Sequence, residues 1–216
     1  MSVLFMHYEI EPRLLQPHVP FELDVRDGRA YVSLVAFTQQ KLRFAFGGPL
    51  TAWVGGLMGN HDFLNVRTYI REQDEPGIHF IAEWVPNRLA TWVAPPMYGL
   101  PYRLGRLAYN PTGGLVTSGE GTLQFRMTQS AAAPTPSKLG SRDAFLLERY
   151  MATTQRGHVR RRFRVAHEPW PQTPVEVKIV DDQLLRSAFE WWNQAHFVGA
   201  NFSPGVPVRI GRPERL

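Results

Sequence analysis

Apolar and polar positions alternate along much of this chain, and that alternation predicts β-strands. In residues 64–71, with sequence LNVRTYIR, apolar side chains alternate with polar ones. A second such run, 78–85, follows after the turn-forming segment 72–77. The two runs therefore predict an antiparallel hairpin.

Each strand of this hairpin is expected to show one face to the core and one to a site. The polar side chains that share a face of the first strand are Asn65, Arg67 and Tyr69. On the second strand, strict alternation places His79, Ile81 and Glu83 together on one face. The opposite face is then mostly core, while this face can carry a buried or pocket-facing charge.

Further strands are predicted by similar patterns and by turn residues between them. They lie at residues 3–9, 21–25, 30–46, 105–109, 114–118, 121–128, 157–167, 174–180 and 206–210. The glycine-rich block 47–59 and the small, proline-containing stretch 130–137 are predicted loops.

Two or three helices are expected among these strands. Residues 87–98 can begin a helix, but Pro95 and Pro96 are expected to end it. Ser141 is a predicted N-cap for a second helix. Asp181 and Asp182 occupy the place where a helix N-terminus favours negative charge, ahead of apolar residues at helical spacing.

The count of about ten strands and two or three helices predicts a mainly β fold. Short turns between many strands favour a closed or nearly closed antiparallel barrel, because closure removes exposed sheet edges. A barrel of this size can hold a small ligand inside. The 216 residues show no linker, so we expect one domain over residues 1–216.

Composition narrows the classes of function. The chain has no cysteine, which excludes disulfides, thiolate metal sites and cysteine nucleophiles. The net charge of +5 is spread out and dense only at 158–164, without a recognisable nucleic-acid module, so no nucleic-acid partner is expected. No basic leader precedes the first strand, and no apolar run approaches the roughly 20 residues that cross a bilayer. We therefore expect a cytoplasmic protein without a membrane partner.

Four separated motifs carry a family resemblance. They are NVRTYI at 65–70, GLPYR at 99–103, FLLERY at 145–150 and HEPWP at 167–171. In this order and spacing they resemble the uncharacterised bacterial family DUF2071, also called YqjF-like proteins, from about Phe5 to Val208.

That family looks related to acetoacetate decarboxylase, which implies a cone-shaped antiparallel β-barrel with a buried cavity. The decarboxylase's reactive segment reads glycine, aromatic, proline, lysine, lysine, leucine, and one lysine forms an imine with the substrate. In the similar segment here, 99–104, Tyr102 and Arg103 stand in place of the two lysines. An imine needs an unprotonated primary amine, which neither residue supplies. We therefore predict no Schiff-base decarboxylation.

Two further departures from the family concern polar groups. Phe63 stands where relatives usually carry a glutamate, so any acid or base function of that glutamate is lost here or has moved. The carboxylates to which it can have moved are Asp62, Glu83 and Glu120. Pro95 stands where relatives more often carry arginine. Both departures favour a more apolar pocket and weaken the case for catalysis.

The candidate ligand-binding residues are Asn65, Arg67, Tyr69, Glu83, Tyr102 and Arg103. Arg67 can bind a carboxylate or enolate through a bidentate fork, or it can form a structural ion pair with Glu83 or another carboxylate. The tyrosine hydroxyls can donate to a ligand oxygen or simply satisfy a backbone carbonyl. Arg103 has the same two alternatives as Arg67.

No metal and no cofactor are expected. His61 and His79 are candidates for a metal site with Asp62 or Glu83, but their spacing matches none of the usual metal-ligand motifs.

The leading hypothesis for function is a protein that binds a small, largely apolar molecule bearing a carbonyl or carboxylate, held by Arg67, Tyr102 and Arg103. One alternative is an acid-base enzyme, of lyase or hydrolase type, on an oxo or carboxylic substrate, with Tyr102 or Glu83 as proton donor. Another is a non-catalytic scaffold whose pocket is vestigial. A homo-oligomer is compatible with each of them.

Overall fold

The computed structural model describes residues 2–39, 61–88, 90–128 and 130–216. Within these ranges the chain forms fifteen strands. The strands are β1 (Val3–Ile10), β2 (Glu22–Leu23), β3 (Ala30–Gln39), β4 (His61–Glu72), β5 (Glu75–Val85), β6 (Tyr102–Leu104), β7 (Arg106–Asn110), β8 (Gly113–Ser118), β9 (Gly121–Thr128), β10 (Met151–Arg156), β11 (Val159–Ala166), β12 (Thr173–Asp181), β13 (His196–Ser203), β14 (Arg209–Ile210) and β15 (Glu214–Arg215). The fold is therefore mainly β, as predicted.

Four short α-helices lie between the strands of the described part. They are α1 (Pro12–Leu15), α2 (Ala90–Tyr98), α3 (Arg142–Leu147) and α4 (Gln183–Ala188). Single 3₁₀ turns follow the first and last of them, at Gln16–His18 and Trp192–Gln194. None of the helices in the described ranges combines the length and apolar character that a membrane crossing requires.

The strands join in one sheet of order β14-β11-β10-β5-β4-β3-β1-β13-β12-β9-β8-β7, with β15 on β11, β2 on β4 and β6 on β5. Over the described residues the two ends of this order do not pair, so the sheet is open. The sheet also contains parallel pairs, so the expected closed or nearly closed antiparallel barrel is not confirmed. The far strand β7 does approach β4, where the hydroxyl of Tyr109 donates to the carbonyl oxygen of Phe63 at 2.9 Å.

The parallel pairs lie on one edge of β5. Glu83–Val85 pairs with Tyr102–Leu104, and Ile78–His79 pairs with Ala152–Thr153. The chain reaches β6 only after crossing over through α2, so it arrives in the same direction as β5. Periodicity along a strand gives no information on the direction of its partner, which is why the sequence did not show this.

Both faces of the central strands are buried. One face, carrying Met6, Leu34 and Val66, packs on the largest core cluster together with Leu123 and Leu185. The other face is covered by smaller clusters. They include Tyr69, Ile78 and Leu146 in one, and Phe5, Val35 and Trp170 in another. Polar side chains on this second face are therefore enclosed by apolar ones.

A β-bulge interrupts the predicted hairpin. The register of β4 and β5 shifts between Val66 and Arg67, so Val66 pairs with Ala82 while Arg67 pairs with Phe80. The extra residue, Ile81, lies against the largest core cluster. Glu83 therefore does not share a face with His79, and strict alternation along this strand was the wrong expectation, because one inserted residue exchanges the faces.

Helix α2 continues through both prolines to Tyr98, so the expectation that they end it is wrong. Two carbonyl groups at its C-terminus accept hydrogen bonds from residues outside the helix. Thr154 Oγ1 donates to the carbonyl oxygen of Tyr98 at 2.5 Å, and Arg161 Nη2 donates to that of Pro96 at 3.3 Å. Gly99 follows with φ of +71°, a left-handed conformation that favours glycine after a helix. The turn directs the chain into β6.

Most of the other predicted elements form near their expected positions, but strands β6, β10, β13 and β15 were not predicted. Ser141 caps α3, with its Oγ accepting from the backbone N–H of Ala144 at 3.1 Å. Asp182 precedes α4 but accepts from the indole of Trp192 rather than from the helix backbone. Of the last predicted strand only Arg209–Ile210 forms. Residues 40–46 of the predicted 30–46 strand, and the predicted loop 47–59, lie outside the described residues.

Candidate functional site

Three candidate residues lie side by side across neighbouring strands. Asn65 on β4 pairs in register with Glu83 on β5, and Glu83 pairs with Tyr102 on β6. Paired positions in adjacent strands project their side chains to the same face. The sheet therefore brings these three together on its second face. We call Asn65, Glu83 and Tyr102 the polar row.

Within the polar row, Asn65 Nδ2 donates to Glu83 Oε1 at 3.0 Å. Both side chains are only 5% exposed. Burial raises the pKa of Glu83 to about 8, and the hydrogen bond from Asn65 lowers it by less. Asn65 Oδ1 and Glu83 Oε2 are buried and have no hydrogen-bond partner in the described part of the chain. Two buried polar atoms of this row thus lack a hydrogen-bond partner among the described residues.

Arg67 lies two residues beyond Asn65 on the same face. Its Nη2 donates to the carbonyl oxygen of Leu146, at the end of α3, at 3.1 Å, and its guanidinium lies 5.4 Å from the ring of Phe5. Its Nε is buried without a hydrogen-bond partner. No carboxylate of the described residues forms an ion pair with Arg67, so the expected alternative of a salt bridge with Glu83 is not what this structure contains.

A chain of buried hydrogen bonds adjoins Arg67 and was not foreseen. Ser33 Oγ lies 2.5 Å from the hydroxyl of Tyr69 and 2.7 Å from His7 Nδ1. His7 Nε2 lies 3.0 Å from Asn201 Oδ1. Because Asn201 Nδ2 donates to Gln172 Oε1 at 2.6 Å, its Oδ1 faces the histidine and accepts from Nε2–H. Ser33 then donates to Nδ1.

The histidine in this chain of hydrogen bonds, His7, is neutral. Burial lowers its pKa to about 3, and the nearby charge of Arg67 acts in the same direction. The Tyr69 hydroxyl lies within hydrogen-bond distance, 2.9 Å, of the same Leu146 carbonyl that Arg67 contacts. Tyr69 is therefore held by protein groups. Its partners lie 36 and 77 positions away in the sequence, and no local motif announces them.

Tyr102 and Arg103 are adjacent in sequence but separate in space. Tyr102 is half-buried against Phe63 and Val85. Burial, together with the charge of Glu83, raises its pKa well above the usual value. Arg103 projects to the opposite face, where Nη1 donates to Glu120 Oε1 at 2.6 Å and the guanidinium lies 5.3 Å from the ring of Trp84. Five of the six predicted residues therefore share a face, and Arg103 does not.

The other acidic and histidine candidates are each engaged elsewhere. Asp62 Oδ1 accepts from Thr38 Oγ1 at 2.7 Å. His79 lies 3.0 Å from Thr153 Oγ1, and burial lowers its pKa to about 4. The described ranges contain no group of three or more histidine, aspartate or glutamate side chains that could hold a metal ion.

Two cavities occur elsewhere in the described part of the molecule. One, of about 600 Å³, is lined mostly by apolar residues at one end of β1 and β3, among them Leu4, Phe37 and Phe125. The other, of about 1080 Å³, lies over β8, β9 and β12. None of the six candidate residues lines either cavity.

The described part of the chain brings no lysine to the buried face of the polar row. The chain has three lysines. Lys138 and Lys178 are exposed, and Lys178 lies on β12. Lys41 lies outside the described residues. The buried face that carries the polar row and Arg67 thus receives no lysine from the described part of the chain.

The sequence matches the family model DUF2071, described as an uncharacterized conserved protein, over residues 1–207. A curated relative is the uncharacterized protein YqjF of Bacillus subtilis (strain 168), which is 28% identical over 189 residues, covering 82% of this chain and 75% of the relative.

Similar solved structures include an acetoacetate decarboxylase-like enzyme from Sphingomonas wittichii RW1, with 19% identity and a TM-score of 0.61 over 100% of this chain and 90% of that one. An acetoacetate decarboxylase has 11% identity and a TM-score of 0.66 over 100% and 86%. The enduracididine biosynthesis enzyme MppR has 10% identity and a TM-score of 0.65 over 100% and 85%. At these identities the likeness concerns the fold, which is that of acetoacetate decarboxylase-like proteins.

Proposed function

The chain belongs to DUF2071, a family of uncharacterized conserved proteins, and we propose that this member binds a small, largely apolar molecule that bears a carbonyl or carboxylate group. The observation that carries the proposal is the buried Arg67 Nε–H, which has no hydrogen-bond partner among the described residues and can donate to a carboxylate or carbonyl oxygen. Asn65 Oδ1 and Glu83 Oε2 lie on the same face of the sheet and also lack a partner there. Each unmet buried group costs about 1–3 kcal/mol, which a ligand that meets it recovers.

Arg67 is the proposed contact for a carboxylate. Its Nη2 donates to the carbonyl oxygen of Leu146, and its Nε–H is a second donor that has no partner among the described residues. A buried guanidinium without a carboxylate partner favours an anion, because a buried charge is costly unless it is paired. Tyr102, at the edge of the polar row, is the proposed donor to a carbonyl. Arg103 is not part of the proposed site, because it forms an ion pair with Glu120 on the other face of the sheet.

A fold neighbour supports the class of ligand. MppR has been solved in complex with pyruvate, a small molecule with both a carbonyl and a carboxylate, and that structure matches this chain with a TM-score of 0.53 and 10% identity. Binding of this kind does not require a Schiff base. We propose that none forms here, because Tyr102 and Arg103 replace the two lysines and because the two described lysines are exposed.

Butyrate is a suitable probe of the proposed site, by ligand-detected NMR on the purified protein. We expect binding to the wild type, loss of binding in Arg67→Met, and unchanged binding in the matched variant Arg103→Met. Arg67→Lys, which keeps the charge, separates loss of the anion contact from loss of folding. Equal binding by the two methionine variants, or no binding by the wild type, contradicts the proposal.

Borohydride reduction in the presence of acetoacetate tests the absence of an imine. We expect no covalent adduct by mass spectrometry. An adduct on any lysine contradicts this part of the proposal, and the comparison with Lys41→Ala tells whether Lys41 forms it.

A second candidate function is acid-base catalysis on an oxo or carboxylic substrate, favoured by one observation. The pKa of Glu83 is raised to about 8, which suits a proton donor and acceptor near neutral pH. If Glu83 exchanges a proton with a bound substrate, an enolisable oxo acid such as 2-oxobutyrate loses its C3 protons to deuterated water faster with the wild type than with Glu83→Gln. Equal rates exclude this role.

The remaining expectations, a cytoplasmic protein without a nucleic-acid or membrane partner that can form a homo-oligomer, stay predictions.

A further inference from the structure

We infer that the carbonyl group recognised at the polar row belongs to an amide, a neutral group that offers a hydrogen-bond acceptor and a donor side by side to Glu83 and Asn65. The inference rests on the proposed function, since it concerns the same site, and it specifies the chemistry of the ligand's second polar end. Carboxamides and lactams belong to this class.

Asn65 fixes half of the pattern. Its amide nitrogen is used in the hydrogen bond to Glu83 Oε1, and this contact determines which end of the side chain faces the carboxyl. The amide oxygen, Oδ1, is therefore the free end, and it is buried without a partner in the described part of the protein. A donor on the ligand, such as an amide N–H, satisfies it.

Glu83 supplies the other half. Among the residues that the structure describes, no cation pairs with it, and Asn65 gives it a single hydrogen bond. Asn65 faces it from β4 and Tyr102 from β6; Arg67 is the next side chain along that face of β4, whereas Arg103 projects to the opposite face. A carboxyl so placed is protonated at neutral pH, in line with its pKa of about 8.

The position of the proton follows from the same hydrogen bond. Oε1 accepts from Asn65, so the proton resides on Oε2, the oxygen without a partner. Neutral Glu83 therefore presents an O–H donor, and it meets the oxygen of a ligand carbonyl. Together, the donor on Glu83 and the acceptor on Asn65 match the C=O and N–H of one amide.

Other polar groups match only half of this pattern. A carboxylate offers acceptors alone and leaves Asn65 Oδ1 unmet, whereas an ammonium group offers donors alone and leaves the Glu83 hydroxyl unmet. An unmet buried group of this kind lowers affinity roughly 5- to 150-fold. Butyramide, butyrate and n-butylamine, which share a chain length, separate these cases.

The experiment is a titration of the full-length protein with each probe, followed by ligand-detected NMR at pH 6.5 and pH 9.5. We expect butyramide to bind at the polar row at pH 6.5. At pH 9.5 its affinity should be lower by about tenfold or more, because Glu83 is then ionised and two acceptors face the ligand. In Glu83→Gln, which keeps one donor and one acceptor but does not titrate, butyramide binding should persist at both values of pH.

Two controls keep the inference separate from the proposed function. Arg67→Met should lose butyrate binding and keep butyramide binding, because the amide contacts the polar row instead of the guanidinium. If the wild type binds butyrate but not butyramide, the amide inference fails while the proposed function stands. Tighter binding of n-butylamine than of butyramide at pH 6.5, or butyramide binding that is equal at both values of pH, also overturns the inference. If Glu83→Gln does not fold, the wild-type pH comparison decides alone.

Discussion

Asn65 and Glu83, eighteen positions apart in the sequence, meet across β4 and β5 through a hydrogen bond of 3.0 Å and are almost fully enclosed. The β-bulge between Val66 and Arg67 lies immediately beyond this pair. Because of the bulge, Glu83 lies on the same face of the sheet as Asn65, and His79 lies on the opposite face. The buried carboxyl is a consequence of that register.

Stability should fall as pH rises, because of Glu83. Its pKa is about 8 in the folded protein against 4.5 in the unfolded chain. Below 4.5 both states are protonated and stability is complete; between 4.5 and 8 only the unfolded chain ionises. At roughly 1.4 kcal/mol for each pKa unit, the loss reaches about 5 kcal/mol. Urea unfolding of wild type and Glu83→Gln over this range checks it, since the difference between them isolates Glu83. Parallel curves contradict the prediction.

Ser33→Ala should destabilise the protein by about 1–3 kcal/mol, because it removes the hydroxyl that joins His7 to Tyr69 in a fully buried position. The exposed Ser130, whose Oγ accepts from the backbone N–H of Ala132 at 3.2 Å, provides the control. Ser130→Ala should change the free energy of unfolding by less than about 0.5 kcal/mol. Similar denaturant midpoints for both variants would show that the buried chain contributes nothing.

Buried His7 should make the protein less stable in acid. Neutral His7 has a folded pKa of about 3 against 6.5 unfolded, so its contribution to stability is present above 6.5 and is lost as pH falls toward 3. We expect His7→Gln to flatten the acid side of the stability profile measured by urea unfolding. A profile as steep as that of the wild type would contradict this assignment.

Gly99→Ala should cost more stability than Gly140→Ala. Both glycines have left-handed φ angles, +71° and +76°, so both substitutions carry a similar backbone strain of about 1 kcal/mol. A Cβ on Gly99 also lies 2.9 Å from Thr154 Oγ1 and 3.0 Å from Arg161 Nη1, whereas one on Gly140 meets nothing within 4 Å. Thermal unfolding of the two variants compares them. Equal melting temperatures would show that the side chains of Thr154 and Arg161 move away from a Cβ on Gly99 without a measurable loss of stability.

Arg103→Met should change stability by less than about 1 kcal/mol, since the ion pair with Glu120 is partly exposed and such pairs contribute little. Double-mutant analysis with Glu120→Gln measures the coupling. A coupling well above 1 kcal/mol would assign this pair a structural role that its exposure does not suggest.

Much of the fold follows from local patterns, because alternation and turn residues are local properties. The β4–β5 hairpin, the Ser141 cap and the shared face of Asn65, Arg67 and Tyr69 were predictable in this way. The bulge was not, since one extra residue leaves no mark in composition. Helix α2 passes its prolines because Thr154 and Arg161, more than fifty positions away, hold its end.

The candidate site was predictable only in part. Glu83 and Tyr102 were singled out from their sequence positions, and the pairing of β5 with β6 brings them together. Arg103 was included because, with Tyr102, it stands in place of the decarboxylase's two lysines, but neighbours along a strand face opposite ways. His7 and Asn201 are 194 positions apart, and only the pairing of β1 with β13 makes them partners.

That pairing also bears on how the chain is made. Strand β1 is an inner strand, with Val3 paired to Phe37 on one side and to Ser203 on the other. During synthesis one edge of β1 stays open until β13, about 190 residues later, has left the ribosome. Contacts of such long sequence separation slow folding, and an open edge invites association between nascent chains. The completed sheet thus depends on its last long strand to close the edge of its first.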